Sequence, residues 1–281
     1  MNIFKGLKKI ITLPPSVTRP KIGLALGSGG ARGLAHIGVI KILEENNIPI
    51  DYISGASIGA VIGGFYSATR DINSIEKLAT STDWRKFVSL LDPSFKTGIF
   101  RGDKAKKFLE EYTQKKSFSQ LQIPFSVVAT DYKTGEAKII SSGDVASAIR
   151  ASMSVPIAFN PSDHEENILV DGGLSIPVPV DIVRKMGADI IIAVNLDGDY
   201  FSYSHEKDLR FHKIALNSIN LLRHHLAREN IKNADIIITP KVGNILWYEF
   251  VTGKKAILAG ENATREKITE LKKIVKNKTA H

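Results

Sequence analysis

The chain has 281 residues, of which 43% are apolar, 24% charged and 7% aromatic, and its mean hydropathy is -0.03, a balance foreign to disordered, collagenous and membrane-embedded proteins. Cysteine is absent, which excludes disulfides, thiolate nucleophiles and cysteine-based zinc sites and makes cytoplasmic residence the default expectation. The net charge of +9 is end-loaded, with +4 in residues 1–20, +3 in residues 261–281 and +2 in between, so no nucleic-acid partner is expected, since such grooves interleave bases with aromatics through the domain.

At the start of the chain Ile3, Phe4, Leu7, Ile10 and Ile11 recur at helical spacing, with Lys5, Lys8 and Lys9 between them and Pro14-Pro15 as a stop. Residues 1–13 therefore read as a short basic amphipathic helix suited to an anionic membrane surface, with a docked or frayed terminal helix as the alternative. The long apolar stretch and cleavage site of a secretory signal are missing, and no run approaches the roughly 18 apolar residues that span a bilayer. These features divide the chain into a basic N-terminal arm (1–20), one α/β domain (21–260) and a basic C-terminal helix or tail (261–281).

From Lys21 onward short apolar runs alternate with helical patterns: a strand at Ile22 to Leu26, a helix from about Arg32 to Glu45, a strand at Tyr52 and Ile53, and a helix from Ile58 to about Thr69. That alternation predicts a parallel sheet with helices on its faces. Phe125 to Thr130, Ile190 to Leu196 and Ala234 to Thr239 are continuous apolar runs, as expected of strands covered on both sides. Ala129 to Ile140, with Gly135 in its middle, reads as a hairpin at one edge. Leu91 to Asp103 and Asp197 to Leu209 read as loops long enough to border a substrate site.

Gly27-Ser28-Gly29-Gly30-Ala31-Arg32-Gly33 lies between the first strand and its helix, so backbone N–H groups should converge at a helix N-terminus and make an anion site. The dinucleotide pattern fails, because its third glycine falls on Arg32, and Asp51 opens the next strand instead of closing it. No Gly-Lys-Ser/Thr phosphate loop is present either. The anion left to consider is the tetrahedral oxyanion of acyl transfer. Arg32 would brace this loop or meet a substrate anion, and His36 reads as structural.

Gly55-Ala56-Ser57-Ile58-Gly59 matches G-x-S-x-G in the strand–turn–helix setting that the pattern requires, and makes Ser57 the candidate nucleophile. None of the seven histidines sits in a recognisable catalytic setting. The candidate base is Asp171 in Val170-Asp171-Gly172-Gly173, at the end of an apolar run where the glycines allow a sharp turn.

The glycine turn, the serine elbow, the Ala129 to Glu136 hairpin, the Arg150 to Pro156 segment and Asp171-Gly172-Gly173 occur in the order seen in the patatin-like phospholipases, and the chain resembles that family over roughly residues 21 to 196. The resemblance implies a three-layer α/β/α fold with a mostly parallel sheet, and hydrolysis of lipid acyl esters by a Ser57–Asp171 dyad without cofactor or metal. It places the oxyanion hole at the backbone of Gly29, Gly30 and Ala31, although Ser28 stands where the family commonly has glycine. A phospholipid or other lipid ester is the implied substrate, met at an anionic membrane surface through residues 1–13 and the C-terminal basic tail, with the protein peripheral to the inner face of the membrane. A regulatory or scaffolding protein on the same fold is the alternative. The sequence does not specify an oligomeric state.

Overall fold

A computed structural model describes residues 19–81, 103–156, 160–164, 167–199, 211–246 and 249–279. The N-terminal amphipathic segment and most of the two loops expected at 91–103 and 197–209 lie outside the described residues.

The centre is an eight-stranded mixed sheet built from β1 (Ile22–Leu26), β2 (Tyr52–Ala56), β3 (Phe125–Asp131), β4 (Ala137–Ile140), β5 (Ser162–His164), β6 (Asn167–Asp171), β7 (Ile190–Val194) and β8 (Ile236–Ile238). The hydrogen-bonded path runs β5-β6-β3-β2-β1-β7-β8, with β4 paired to β3. The pairings among β8, β7, β1, β2 and β3 are parallel, and those of β4, β5 and β6 are antiparallel. The strands begin and end close to the expected positions, and the expected hairpin is the β3–β4 pair.

β1 and β7 are buried at every residue, yet their two faces differ. Ile22, Leu24, Leu26, Ile190, Ile192 and Val194 point into the larger core. That core also takes residues of α1 (Ala35–Glu45), α2 (Ile58–Thr69), α3 (Ile72–Ala79), α4 (Asp103–Tyr112), α5 (Val145–Ser152) and the last helix. The alternate residues Ala25, Ile191 and Ala193 meet α6 (Val180–Lys185) and Ala227 of α7 (Phe211–Asn230) on the other side. This period-two division of an unbroken apolar run makes the three α/β/α layers.

Where helices start, local chemistry explains them. Asp71 accepts a 3.0 Å bond from Ser74 N at the head of α3, and Asp144 a 2.8 Å bond from Ser147 N at the head of α5, each satisfying a first-turn amide. The last helix, α8 (Gly253–Thr279), runs unbroken through the boundary expected at residue 260. It crosses α1 so closely that a Cβ on Gly38 would sit 2.0 Å from Ile257 O, and one on Gly260 2.0 Å from Ala35 O. With Ile257, Thr264 and Leu271 buried, the C-terminal basic segment is continuous with the domain.

Candidate active site

The site is made where two strands meet end to end. Val127 and Val128 pair with β4 on one edge and with Gly55 and Ala56 of β2 on the other, whereas Ala129 pairs with Lys138 of β4 and with Asp171 of β6. A strand has only two edges, so β2 and β6 share the edge of β3 opposite β4 and approach it head to head, β2 stopping at Val128 and β6 at Ala129. Ser57, the residue after β2, and Asp171, the last of β6, are thereby brought to one point. Both line a largely apolar pocket together with Gly30, Ile58, Met153, Leu174, Arg223 and Phe250 among others.

Ser57 has φ 54° and ψ -122°, a conformation that costs a non-glycine residue about 1–3 kcal/mol and must be held by its surroundings. The sharp turn brings α2 against the glycine loop: a Cβ on Gly59 would lie 2.2 Å from Leu26 O. Turning the chain after Asp171 imposes the same demand, since a Cβ on Gly172 would lie 2.0 Å from Val128 O.

One segment brackets both residues. Ser57 N donates to Ser152 Oγ at 2.7 Å, and Ser152 Oγ donates in turn to Val128 O at 2.6 Å, inside the gap between the two strand ends. Two positions on, Ser154 O accepts Asp171 N at 3.0 Å, while Arg150 donates to Ser154 Oγ at 2.7 Å. The Arg150 to Pro156 segment thus holds Ser57 and Asp171 to a common frame. An unsatisfied Ser57 amide would cost about 1–3 kcal/mol.

Asp171 is buried, and Oδ1 accepts Gly173 N at 2.7 Å. Burial pushes its pKa up to about 6, against the opposing effects of the Ser57 hydroxyl, the Gly173 amide and the Arg223 charge. The hydroxyl is near enough to act on the carboxylate but outside hydrogen-bonding geometry, and Asp171 Oδ2 is left without a partner.

In the glycine loop the amides of Gly27 and Ser28 are consumed by Val194 O at 3.2 Å and Pro177 O at 2.9 Å. The amides of Gly29, Gly30 and Ala31 stand at the start of the 3-10 helix Gly30–Leu34, where no preceding turn supplies acceptors. The serine in place of the usual glycine therefore spends its own amide elsewhere. Arg32 is fully buried and does not line the pocket. Its guanidinium reaches Gly29 O at 3.2 Å, Leu196 O at 3.3 Å and Asp197 at 3.1 Å, contacts that tie the glycine loop to the chain beyond β7. His36 is buried against Gly27 O at 2.8 Å. Burial lowers its pKa to about 4, and the neutral ring is part of the loop's scaffold.

The sequence gives no signal for Arg223. It lies on α7, lines the pocket, and grips Asp197 with two bonds of 2.9 and 2.8 Å. Burial opposes ionisation of Asp197, but the Arg223 and Arg32 charges hold its carboxyl below the ordinary range. The start of the loop expected at 197 to 209 is therefore an ionic clasp between α7 and the glycine loop. No described histidine lines the pocket. Among the described residues no three His, Asp or Glu side chains converge as metal ligands.

Comparison with known proteins agrees with this architecture. Residues 24–184 match the family model for patatin-like phospholipase. An uncharacterised NTE family protein of Mycobacterium tuberculosis is 40% identical over 180 residues, 64% of this chain and 50% of that protein. Patatin-like phospholipase domain-containing protein 6 of Homo sapiens is 34% identical over 190 residues, 64% of this chain and 14% of that protein. The chain thus aligns with half or less of the length of these relatives. The crystal structure of VipD from Legionella pneumophila superposes with a TM-score of 0.51 at 15% identity, covering 88% of this chain and 66% of that one, a likeness of fold. With the family model spanning more than half of its residues, this chain belongs to the patatin-like phospholipase family.

Proposed function

We propose that the protein is a lipid acyl hydrolase of the phospholipase A or lysophospholipase type, working through Ser57 and Asp171. The observation that carries this reading is the buried, unpartnered Asp171 Oδ2, lining the same pocket as Ser57. A carboxylate with a pKa of about 6 is a stronger base than an ordinary aspartate and is still ionised at neutral pH.

Ser57 Oγ attacks the acyl carbonyl carbon as its proton passes to Asp171 Oδ2. The carbonyl oxygen, now negative, is received by the amides of Gly29, Gly30 and Ala31, and one such donor is worth about 3–4 kcal/mol at the transition state. Collapse expels the alcohol, which takes the proton from Asp171. Water then enters by the reverse path, giving the free fatty acid and the unmodified serine. The apolar walls at Ile58, Met153, Leu174 and Phe250 suit an acyl chain. An anionic bilayer is the surface at which substrate is met, with residues 1–13 and the basic end of α8 as contacts.

The test is fatty-acid release from mixed anionic phospholipid vesicles and turnover of a soluble short-chain ester. Parent protein is compared with Ser57→Ala, after circular dichroism shows that both fold. Loss of at least about 10⁴-fold is expected for the variant. Equal release by both would refute the assignment, and absence of turnover in the parent would favour a binding role on this fold.

A further inference from the structure

Helix α7 (Phe211–Asn230) is apolar on two sides. Its inner side supplies Ile219, Asn220 and Arg223 to the pocket and buries Ala227. Its outer side exposes Ile214, Leu221, Leu222 and Leu226, with Leu222 65% accessible, and these are four of the eight large apolar side chains exposed among the described residues. At 100° per residue the four fall within one arc of about 140°, away from Asn220 and Ala227. A patch of this kind concentrated on one element marks a contact surface, whereas scattered exposed leucines do not.

Charge selects the occupant. The sole acid in α7 is Glu229, and it is ion-paired with Lys232. His225 and Arg228 are exposed on the same outward side. A helix with an exposed leucine stripe, an exposed arginine beside it and no unpaired acid matches an anionic lipid surface.

We propose that the outward face of α7 docks on an anionic lipid bilayer, bringing the helix that walls the pocket to the membrane. The proposal rests on the lipid hydrolase reading, and it puts the docking surface on the element that walls the site, separate from the N-terminal segment and the end of α8. Lipid would then reach Ser57 beside the helix that is clasped by Asp197.

The experiment compares parent protein with the double variant Leu221→Asp, Leu222→Asp, neither of which lines the pocket. Three quantities are measured: cosedimentation with vesicles of phosphatidylcholine and phosphatidylglycerol, fatty-acid release from them, and turnover of a soluble short-chain ester. Both side chains are exposed, so the fold should survive, and thermal unfolding checks this. The expected result is a drop in vesicle partition of about tenfold or more, a parallel drop in vesicle lipid release, and unchanged soluble-ester turnover. Unchanged vesicle partition, no partition by the parent, or a concentration-dependent dimer that only the parent forms would each overturn the proposal. If the parent turned over neither substrate, the hydrolase reading would fail by itself, with vesicle partition still deciding the docking surface.

Discussion

Asp51 and Asp171 stand at opposite ends of one sheet, the first just before β2 and the second closing β6, and they are treated in opposite ways. Burial disfavours the charge on Asp51, but Arg19 at 2.6 and 2.7 Å and the Ile22 amide at 2.8 Å hold its carboxyl below the ordinary range. Asp189 and Asp235 do similar work along that end, each accepting a strand-start amide, from Lys21 and Ile191. At the other end Asp171 is buried with one oxygen unpartnered, and its pKa rises to about 6. Polar groups at the strand starts are satisfied and hold the sheet together. At the end of β6 one carboxylate oxygen is left unmet, and that deficit is what can be turned to chemistry.

The largest test of this contrast is Asp171→Asn, whose effects on activity and stability should run in opposite directions. Loss of the base should lower ester turnover by about 10⁴-fold. Stability should rise at pH 7.5, because a group whose folded pKa of about 6 exceeds the ordinary aspartate value of 3.8 penalises the fold wherever it is ionised. The shift is worth about 3 kcal/mol at most, fully present above pH 6 and gone as the pH falls toward the unfolded value. Thermal unfolding at pH 7.5 and 4.5 measures it, and an equal Tm difference at both would break the contrast. In the parent, turnover should fall as the pH drops through about 6.

Next in size is Gly59→Ala. Its new methyl would lie 2.2 Å from Leu26 O, a backbone atom that cannot swing away. A loss of about 3 kcal/mol or more in a urea titration is expected. Gly135→Ala, where a Cβ meets nothing but the backbone has φ +75°, should cost only about 1 kcal/mol.

These local demands are the ones the sequence displays. Strand–turn–helix chemistry around Ser57 and the glycine turn is written within a few residues, and continuous apolar runs such as Ile190 to Leu196 mark strands covered on both faces. Head-to-head meeting of β2 and β6 is not local, because it depends on which edge of β3 each one takes. Arg223 gives no sign either, for a basic residue on a helix reads as solvated until Asp197 is found beneath it. Residue 260 falls inside α8 for a related reason: charge density in the last 21 residues masks the Thr264 and Leu271 positions that tie α8 to the core.

Ser152 tests how far the strained end depends on its bracket. Ser152→Ala removes the acceptor for Ser57 N and the donor to Val128 O while leaving pocket-lining atoms in place. Misplacement of Ser57, the proposed nucleophile, should lower kcat about 10- to 100-fold, with KM nearly unchanged because substrate contacts persist. A proportional rise in KM, with kcat intact, would mean that the hydroxyl shapes the pocket instead of the elbow.

The smallest effect belongs to the satisfied end. Arg19 is half exposed, and its bidentate bond to Asp51 is an ion pair near solvent, worth about 1 kcal/mol or less. Arg19→Ala should therefore lower Tm slightly at neutral pH and low salt, and less in 1 M salt, where the screening length is about 3 Å. Because the folded carboxyl titrates below the ordinary aspartate value of 3.8, the contribution is present above that pH and fades as the pH falls below it, opposite in direction to Asp171. Ester turnover should not change. If Arg19→Ala impaired turnover as strongly as Ser152→Ala, the two ends of the sheet would be coupled, and their division into a fastening end and a working end would fail.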